Sequence, residues 1–384
     1  MMKGGEGFKL IAISVVMALY VGRMQAAVTL PADAKLLKRH FYKKLNTCAN
    51  VEPFVKHQVK LWWGHDKTIT AKLLKLLYAD CMVNCLLLAR PAMHQANRNE
   101  IQTWLDLEFS QVMTELFIMG CDASILLDGP DTEKKASQNI GLAGFVLIDK
   151  IKTVVEARCP RAVSCADILN LAARDALHLA GAPSYPVLLG RRDGVDSKAA
   201  WVDLPLPSIS WEKGLAFFQS KGLDAQDYAT LLGSHNLGKT HCAFIYDRLY
   251  NFKKTRKPDP SMSKSILDKL RQHCPSKNNR PTSKPKDETV FLTEKNGANY
   301  RFTNTYYSNV LSHDSVLRVD QELLYNYNTS QLVLEYAGSL EQFRKQFALS
   351  INRMGSLKVL TGKQGEIRRN CRFTNNNNPY NYIN

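Results

Sequence analysis

An all-α fold with minimal β-structure is predicted by three features of this chain. Apolar residues recur at helical spacing along most of it, three helix starts are marked by capping residues, and a single short run reads as a strand. Phe54, Val55, Val59 and Trp62 space one apolar helix face. Thr70 can cap a second helix carrying Leu73, Leu74, Leu77 and Cys81. A third helix is expected near 145–157. Ser164 with Asp167 makes a capping-box-like start before Ile168, Leu171, Ala172 and Leu179, and Gly181 ends that helix. Asp224 with Asp227 repeats the signal before Leu231. Further helices are expected near 211–220, 241–251, 262–273, 303–312 and 332–353. Tyr185 to Leu189, followed by a turn at Gly190-Arg191-Arg192-Asp193-Gly194, is the strand-like run.

Length permits a sizeable core, and no internal repeat or dividing linker interrupts the 384 residues. Residues 28–374 therefore read as one domain. Pro275 to Lys286, rich in Pro, Lys, Ser and Asn, reads as a loop, and the asparagine-rich tail 375–384 is expected to be disordered. Met1 to Ala27 has a cationic head (Lys3, Lys9), an apolar run from Leu10 to Val21 and small residues at Gly22, Ala26 and Ala27. The run is too short to span a bilayer and reads as a cleaved signal peptide. Asn328-Thr329-Ser330 is a glycosylation sequon.

Secretion places the nine cysteines in an oxidising compartment, where eight can pair and one is left over. Spacing alone does not select the pairing. The net charge of +16 suits acidic polymers, and secretion favours polysaccharide among them. Lysines and arginines are scattered, with only short clusters such as Lys253-Lys254 and Arg368-Arg369, which argues against a nucleic-acid groove.

The motifs are more specific. Asp80-Cys81, Val83 and Gly120-Cys121-Asp122-Ala123-Ser124 match Leu-Arg-Leu-x-Phe-His-Asp-Cys-Phe-Val-x-Gly-Cys-Asp-Ala-Ser, the pattern of the class III secretory haem peroxidases of plants. Ser164 to Ile168, Gly190 to Gly194, Leu204 to Pro207 and the run around His235 also match, so the chain resembles that family from Lys38 to Arg372. It departs at Lys75, Tyr78, Ala79 and Met82, and carries 35 extra residues, Cys85 to Met119, inside the motif. Those residues pattern Ile101, Trp104, Leu105, Phe109, Val112, Leu116 and Phe117 on one helix face. Either they loop out, at a closure cost of about 3 kcal/mol, or they are unspliced sequence absent from the working protein.

The resemblance implies two helical lobes enclosing b-type haem, and disulfides Cys48–Cys159, Cys81–Cys121, Cys165–Cys371 and Cys242–Cys274. Cys85 is then the odd thiol. It places His235 on the iron, with Asp320 as the carboxylate that fixes its tautomer. Gly233 and Gly238 would let backbone approach a flat ligand. His241 and Cys242 with His235 and Cys81 could instead suggest zinc, a reading that the disulfides oppose.

Peroxide cleavage needs a base to move a proton between the two oxygens and a cation beside the departing hydroxide. The family uses histidine and arginine; here Ala79 and Lys75 stand in their places. Asn139 matches the residue that orients the distal histidine, Tyr78 is expected to fill the pocket, and Pro205 lies where phenolic donors approach. A calcium set is implied at Asp80, Asp122 and Ser124 with the Val83 and Gly120 carbonyls, and Glu133 through water. At a second calcium site Asn236 and Thr303 replace better ligands, so that site is expected to be empty or weak.

The expected function is one-electron oxidation of phenols by hydrogen peroxide, strongly slowed by Ala79 and Lys75. The alternatives are a haem-binding protein without useful turnover and a basic polysaccharide-binding wall protein. The protein is expected to be a secreted monomer of the wall or, alternatively, the vacuole, without a nucleic-acid partner.

Overall fold

Cys165–Leu179 is the helix on which the rest of its half of the molecule is built, and every residue from Cys165 to Leu177 is buried. The computed structural model describes residues 32–83, 120–276, 288–293 and 300–380, all within one compact unit, Pro31–Asn384. The signal peptide, Asn84, the insert with Cys85 and its patterned face, residues 277–287 and 294–299, and residues 381–384 lie outside the described residues.

The first group of helices is α1 (Val51–His65), α2 (Ile69–Cys81), α3 (Phe145–Arg158) and α4 (Cys165–Leu179). The first three pack on α4. Ser164 caps α4 by accepting from Asp167 N, and Gly181, at φ 103°, ends it in the left-handed conformation that glycine tolerates. Asp193 accepts from the amides of Cys165 and Ala166 at 3.1 and 2.9 Å, placing negative charge at the helix start. The Gly190 to Gly194 motif thus does more than turn the chain. Arg191 also pairs with Asp167 at 2.8 Å inside the core.

The second group is α5 (Trp211–Ser220), α6 (Ala225–Leu232), α7 (Lys264–His273), α8 (Thr305–Leu311), α9 (Tyr327–Gly338) and α10 (Leu340–Met354). Asp224 and Asp227 form a full capping box on α6. Around α6, α8, α9 and α10 runs an aromatic core in which Phe302 stacks on Phe343 at 4.8 Å and Tyr307 meets Phe343 at 4.9 Å and Tyr336 at 5.1 Å.

Four bridges join Cys48–Cys159, Cys81–Cys121, Cys165–Cys371 and Cys242–Cys274, the pairing that the resemblance implies. With Cys81 and Cys242 oxidised, the zinc reading has no thiolates left.

Five local expectations are corrected. Thr68, not Thr70, sits at the N-cap of α2, because Asp66 accepts from Thr68 N; Thr70 instead donates to Ala176 O at 3.1 Å and ties α2 to α4. The single helix expected over 332–353 is two, broken at extended Ser339, whose side chain caps α10. The helix expected over 241–251 is broken in two and starts later. Lys239–His241 is β1, paired antiparallel with β2, Thr289–Phe291, and it is followed by a 3-10 turn, Cys242–Phe244, and a short α-helix, Tyr246–Tyr250. Tyr185 to Leu189 forms no strand, having only an isolated bridge between Leu189 and Lys38. In the tail, Asn375 donates to Ile367 O and accepts from Arg369 N, while Asn378 is buried, so its described part is tied down. Thr70 and the 239–241 strand were misread because their partners, Ala176 and 289–291, are distant in sequence, whereas the turn at Asp66–Thr68, the Ser339 cap and the Asn375 ties are local.

Candidate active site

His235 lies in the turn Gly233–Asn236 that follows α6. Gly233 has helical φ, so conformation does not demand glycine there. Space does: an added Cβ would lie 2.7 Å from Phe343 Cε2 and closer still to the Tyr307 hydroxyl. Gly233 thus serves the aromatic core rather than a ligand. Gly238, at φ 107°, is required by conformation.

His235 Nδ1 is 2.8 Å from Asp320 Oδ1, on the short helix Arg318–Gln321. The same oxygen accepts from the Tyr306 hydroxyl at 2.9 Å. Burial pulls the imidazole pKa down, but the charge and hydrogen bond of Asp320 outweigh it and hold it above the ordinary value. His235 is half-buried, with 29% of its side chain accessible. With Nδ1 held by Asp320, Nε2 is the nitrogen left to bind a metal. These residues fit an axially ligated haem.

Lys75, Tyr78 and Ala79 share one face of α2, being spaced i, i+3 and i+4. Ala79 is buried, and no proton-transferring group stands at its position. Lys75 is accessible but enclosed enough that burial lowers its ammonium pKa. Tyr78 is half-buried; burial and the charge of Asp203 push its phenol well up. Asn139 donates through Nδ2 to Glu133 O at 2.9 Å, while its Oδ1 is buried with no hydrogen-bond partner among the described residues.

Asp80, at the end of α2, accepts from the amides of Ala123 and Ile125, and Asp122 accepts from Ser124 N at 3.0 Å. The Ser124 hydroxyl and both carboxylate oxygens of Glu133 are buried without a partner among the described residues. Burial raises all three carboxyl pKa values, Asp122 to about 6, and the mutual repulsion of the acids raises Asp80 and Glu133 further. Arg368 is a buried cation nearby, donating to Ala123 O at 2.6 Å, and is one positive charge against several negative ones. No three His, Cys, Asp or Glu side chains among the described residues converge as a metal cage. A cation here would need hydroxyl and carbonyl oxygens beside the aspartates.

Gly120 is packed where a Cβ would lie 2.6 Å from Lys358 Cβ. The Val83 carbonyl accepts from the Lys221 ammonium at 2.7 Å, a contact that sequence reasoning missed because 138 residues separate the two. In the second set the Thr303 hydroxyl donates to Asn236 Oδ1 at 2.8 Å, and Asn236 Nδ2 donates to Arg301 O at 2.6 Å. Pro205 is half-buried in a loop whose Pro207 carbonyl accepts from Val319 N, beside Asp320.

The family model that matches this chain is that of the peroxidases, over residues 55–339. Probable peroxidase 61 of Arabidopsis thaliana is 49% identical over 370 residues, covering 96% of this chain and 97% of that protein. Probable peroxidase 26 of the same plant is 49% identical over 349 residues, 91% of this chain and 93% of that protein. A peroxidase of Armoracia rusticana is 38% identical over 345 residues, 86% and 90% of the two chains. A family match over most of the chain, with relatives of nearly the same extent, agrees with the all-α architecture: this chain belongs to the peroxidase family, as a plant secretory peroxidase.

Proposed function

We propose that this chain holds haem b through His235 and oxidises phenolic donors with hydrogen peroxide, at a rate held far below that of an intact peroxidase by Ala79 and Lys75. The observation that carries the first half is the 2.8 Å pair between His235 Nδ1 and Asp320, with 29% of the histidine side chain accessible. Bound haem would supply the redox chemistry, reduction of peroxide followed by one-electron oxidation of the donor.

The chain's own groups then divide the remaining work. Asp320 keeps the proton of His235 on Nδ1 and leaves Nε2 to bind the iron. Lys75 offers a positive charge on a flexible stem, less able than a guanidinium fork to follow a departing hydroxide. Tyr78, its pKa raised, remains a hydroxyl donor and is a poor base. No described residue takes the part of Ala79. A group that substituted for a distal histidine would be expected to use the Asn139 acceptor, and Oδ1 of Asn139 has no partner among the described residues. That observation favours, as a second reading, a haem-binding protein with little turnover. Loss of the proton shuttle alone accounts for about 100- to 10,000-fold in rate.

Calcium fits the set of Asp80, Asp122, Ser124 and Glu133, whose unpartnered oxygens and crowded negative charge a divalent cation would satisfy. The Gly120 carbonyl joins the proposed set, and the Val83 carbonyl joins it on exchanging the Lys221 ammonium for the cation. Asn236 and Thr303 bond each other, which supports a weak or empty second site. Phenolic donors are proposed to approach at Pro205. The charge of +16 supports additional, salt-reversible retention on acidic wall polysaccharide. Secretion to the wall is the proposed location, and a monomer the proposed state.

The test is stopped-flow mixing of haem-loaded protein with peroxide. Bound haem with a slow reaction is expected. Rapid reaction would defeat the assignment of Ala79 and Lys75 as the limiting residues, and failure to take up haem would defeat the assignment of His235.

A further inference from the structure

Asp320 receives two donors on one oxygen. His235 Nδ1 lies 2.8 Å and the Tyr306 hydroxyl 2.9 Å from Oδ1, and the tyrosine ring stands edge-on to the imidazole with centroids 6.3 Å apart. A carboxylate oxygen has two lone-pair sites, so both bonds form together, and each donor draws on charge that the other would otherwise receive. Tyr306 and Asp320 are both buried, where water does not dilute that competition. The neighbouring Tyr307 points its hydroxyl elsewhere, to Ala229 O at 3.0 Å. Burial and the charge of Asp320 hold the Tyr306 phenol well above its ordinary value, so it stays a donor.

We propose that Tyr306 is a positioning residue for His235: by sharing Oδ1 of Asp320 it limits the negative charge passed to the imidazole and so sets how strongly Nε2 donates to a metal. This rests on the reading of His235 as the axial ligand. Without the tyrosine hydroxyl, Asp320 would bind the Nδ1 proton more tightly, the imidazole would become a stronger donor, and the oxidised form of a bound iron would be favoured.

The experiment compares full-length wild type, Tyr306→Phe and Tyr307→Phe. Haem uptake by the wild type, read from the absorbance of the bound group, tests the His235 assignment separately. In the apoprotein with ring-labelled histidine, the Nδ1 proton of His235 is expected to move downfield in Tyr306→Phe and to stay in place in Tyr307→Phe. In loaded protein Tyr306→Phe is expected to shift the oxidised-to-reduced equilibrium by up to about tenfold, which for one electron is about 59 mV downward. An Nδ1 proton that does not move overturns the proposal whether or not haem binds. A potential in Tyr306→Phe equal to that of Tyr307→Phe overturns it in the loaded protein.

Discussion

His235 and Asp320, 85 residues apart in the chain, meet at 2.8 Å between Nδ1 and Oδ1. The pair fixes which nitrogen carries the proton, a choice that the imidazole alone would leave open. Asp320→Asn is expected to weaken haem binding by about 10- to 100-fold, the usual effect of losing a carboxylate behind a metal-bound histidine. Haem titration of the apoprotein measures it.

Restoring Lys75→Arg and Ala79→His together is expected to raise the rate of reaction with peroxide by orders of magnitude, at least about 100-fold from the base alone. Ala79→His is also expected to give the buried, unpartnered Asn139 Oδ1 a donor, so the variant should be no less stable than expected from its added bulk. A rate that does not rise shows that the distal face lies elsewhere.

Gly233→Ala drives a methyl group into Phe343 and Tyr307 while leaving an acceptable backbone conformation. Overpacking of this kind destabilises by about 1–3 kcal/mol. Thermal unfolding should show the loss in the apoprotein, before any effect on haem.

Glu133→Gln should act with opposite signs with and without calcium. The buried carboxyl is held well above its ordinary pKa by burial and by Asp122 and Asp80, so removing its charge relieves repulsion in the calcium-free protein. With calcium the same change weakens the cation's charge compensation. Chelation should therefore lower the unfolding temperature of the wild type more than that of the variant, a site at 100 times its Kd contributing about 2.7 kcal/mol.

Acid stability should depend on Asp259. Burial pushes its carboxyl up, but Arg248, 2.7 Å away and buried, together with Ser261, holds it below the ordinary range. A carboxyl with a lowered folded pKa stabilises the protein above its unfolded value, near 3.9, and that contribution is lost as pH falls through the folded value. Asp259→Asn, which leaves Arg248 buried and uncompensated, is expected to cost about 3–5 kcal/mol near neutral pH. The gap from the wild type should begin to narrow below about pH 4 and close only once pH has fallen through the lowered folded value, where both carboxyl and carboxamide are neutral. Urea unfolding at several pH values reads both effects.

Much of this was legible in the chain because its signals are local. The caps at Ser164 and Asp224 act over three residues, and the apolar faces of α1 and α4 repeat every turn, so pattern and structure agree there. His235 and Ala79 were legible as motif positions, since the residues flanking them define where each falls on its helix or turn.

By itself, then, the amino-acid order determined the helical class, the chemistry available at positions 75, 79, 235 and 320, and the cysteines able to pair. Tertiary structure alone decided which partners those groups meet. It placed Tyr306 on the oxygen already used by His235, Lys221 on the Val83 carbonyl, and Phe343 where Gly233 has no room. It also turned 239–241 into a strand by supplying 289–291 as its neighbour. The physical reason is common to all four. Hydrogen bonds and packing act over a few ångströms of space, and residues far apart in the chain reach that distance only after helices have packed around a buried core.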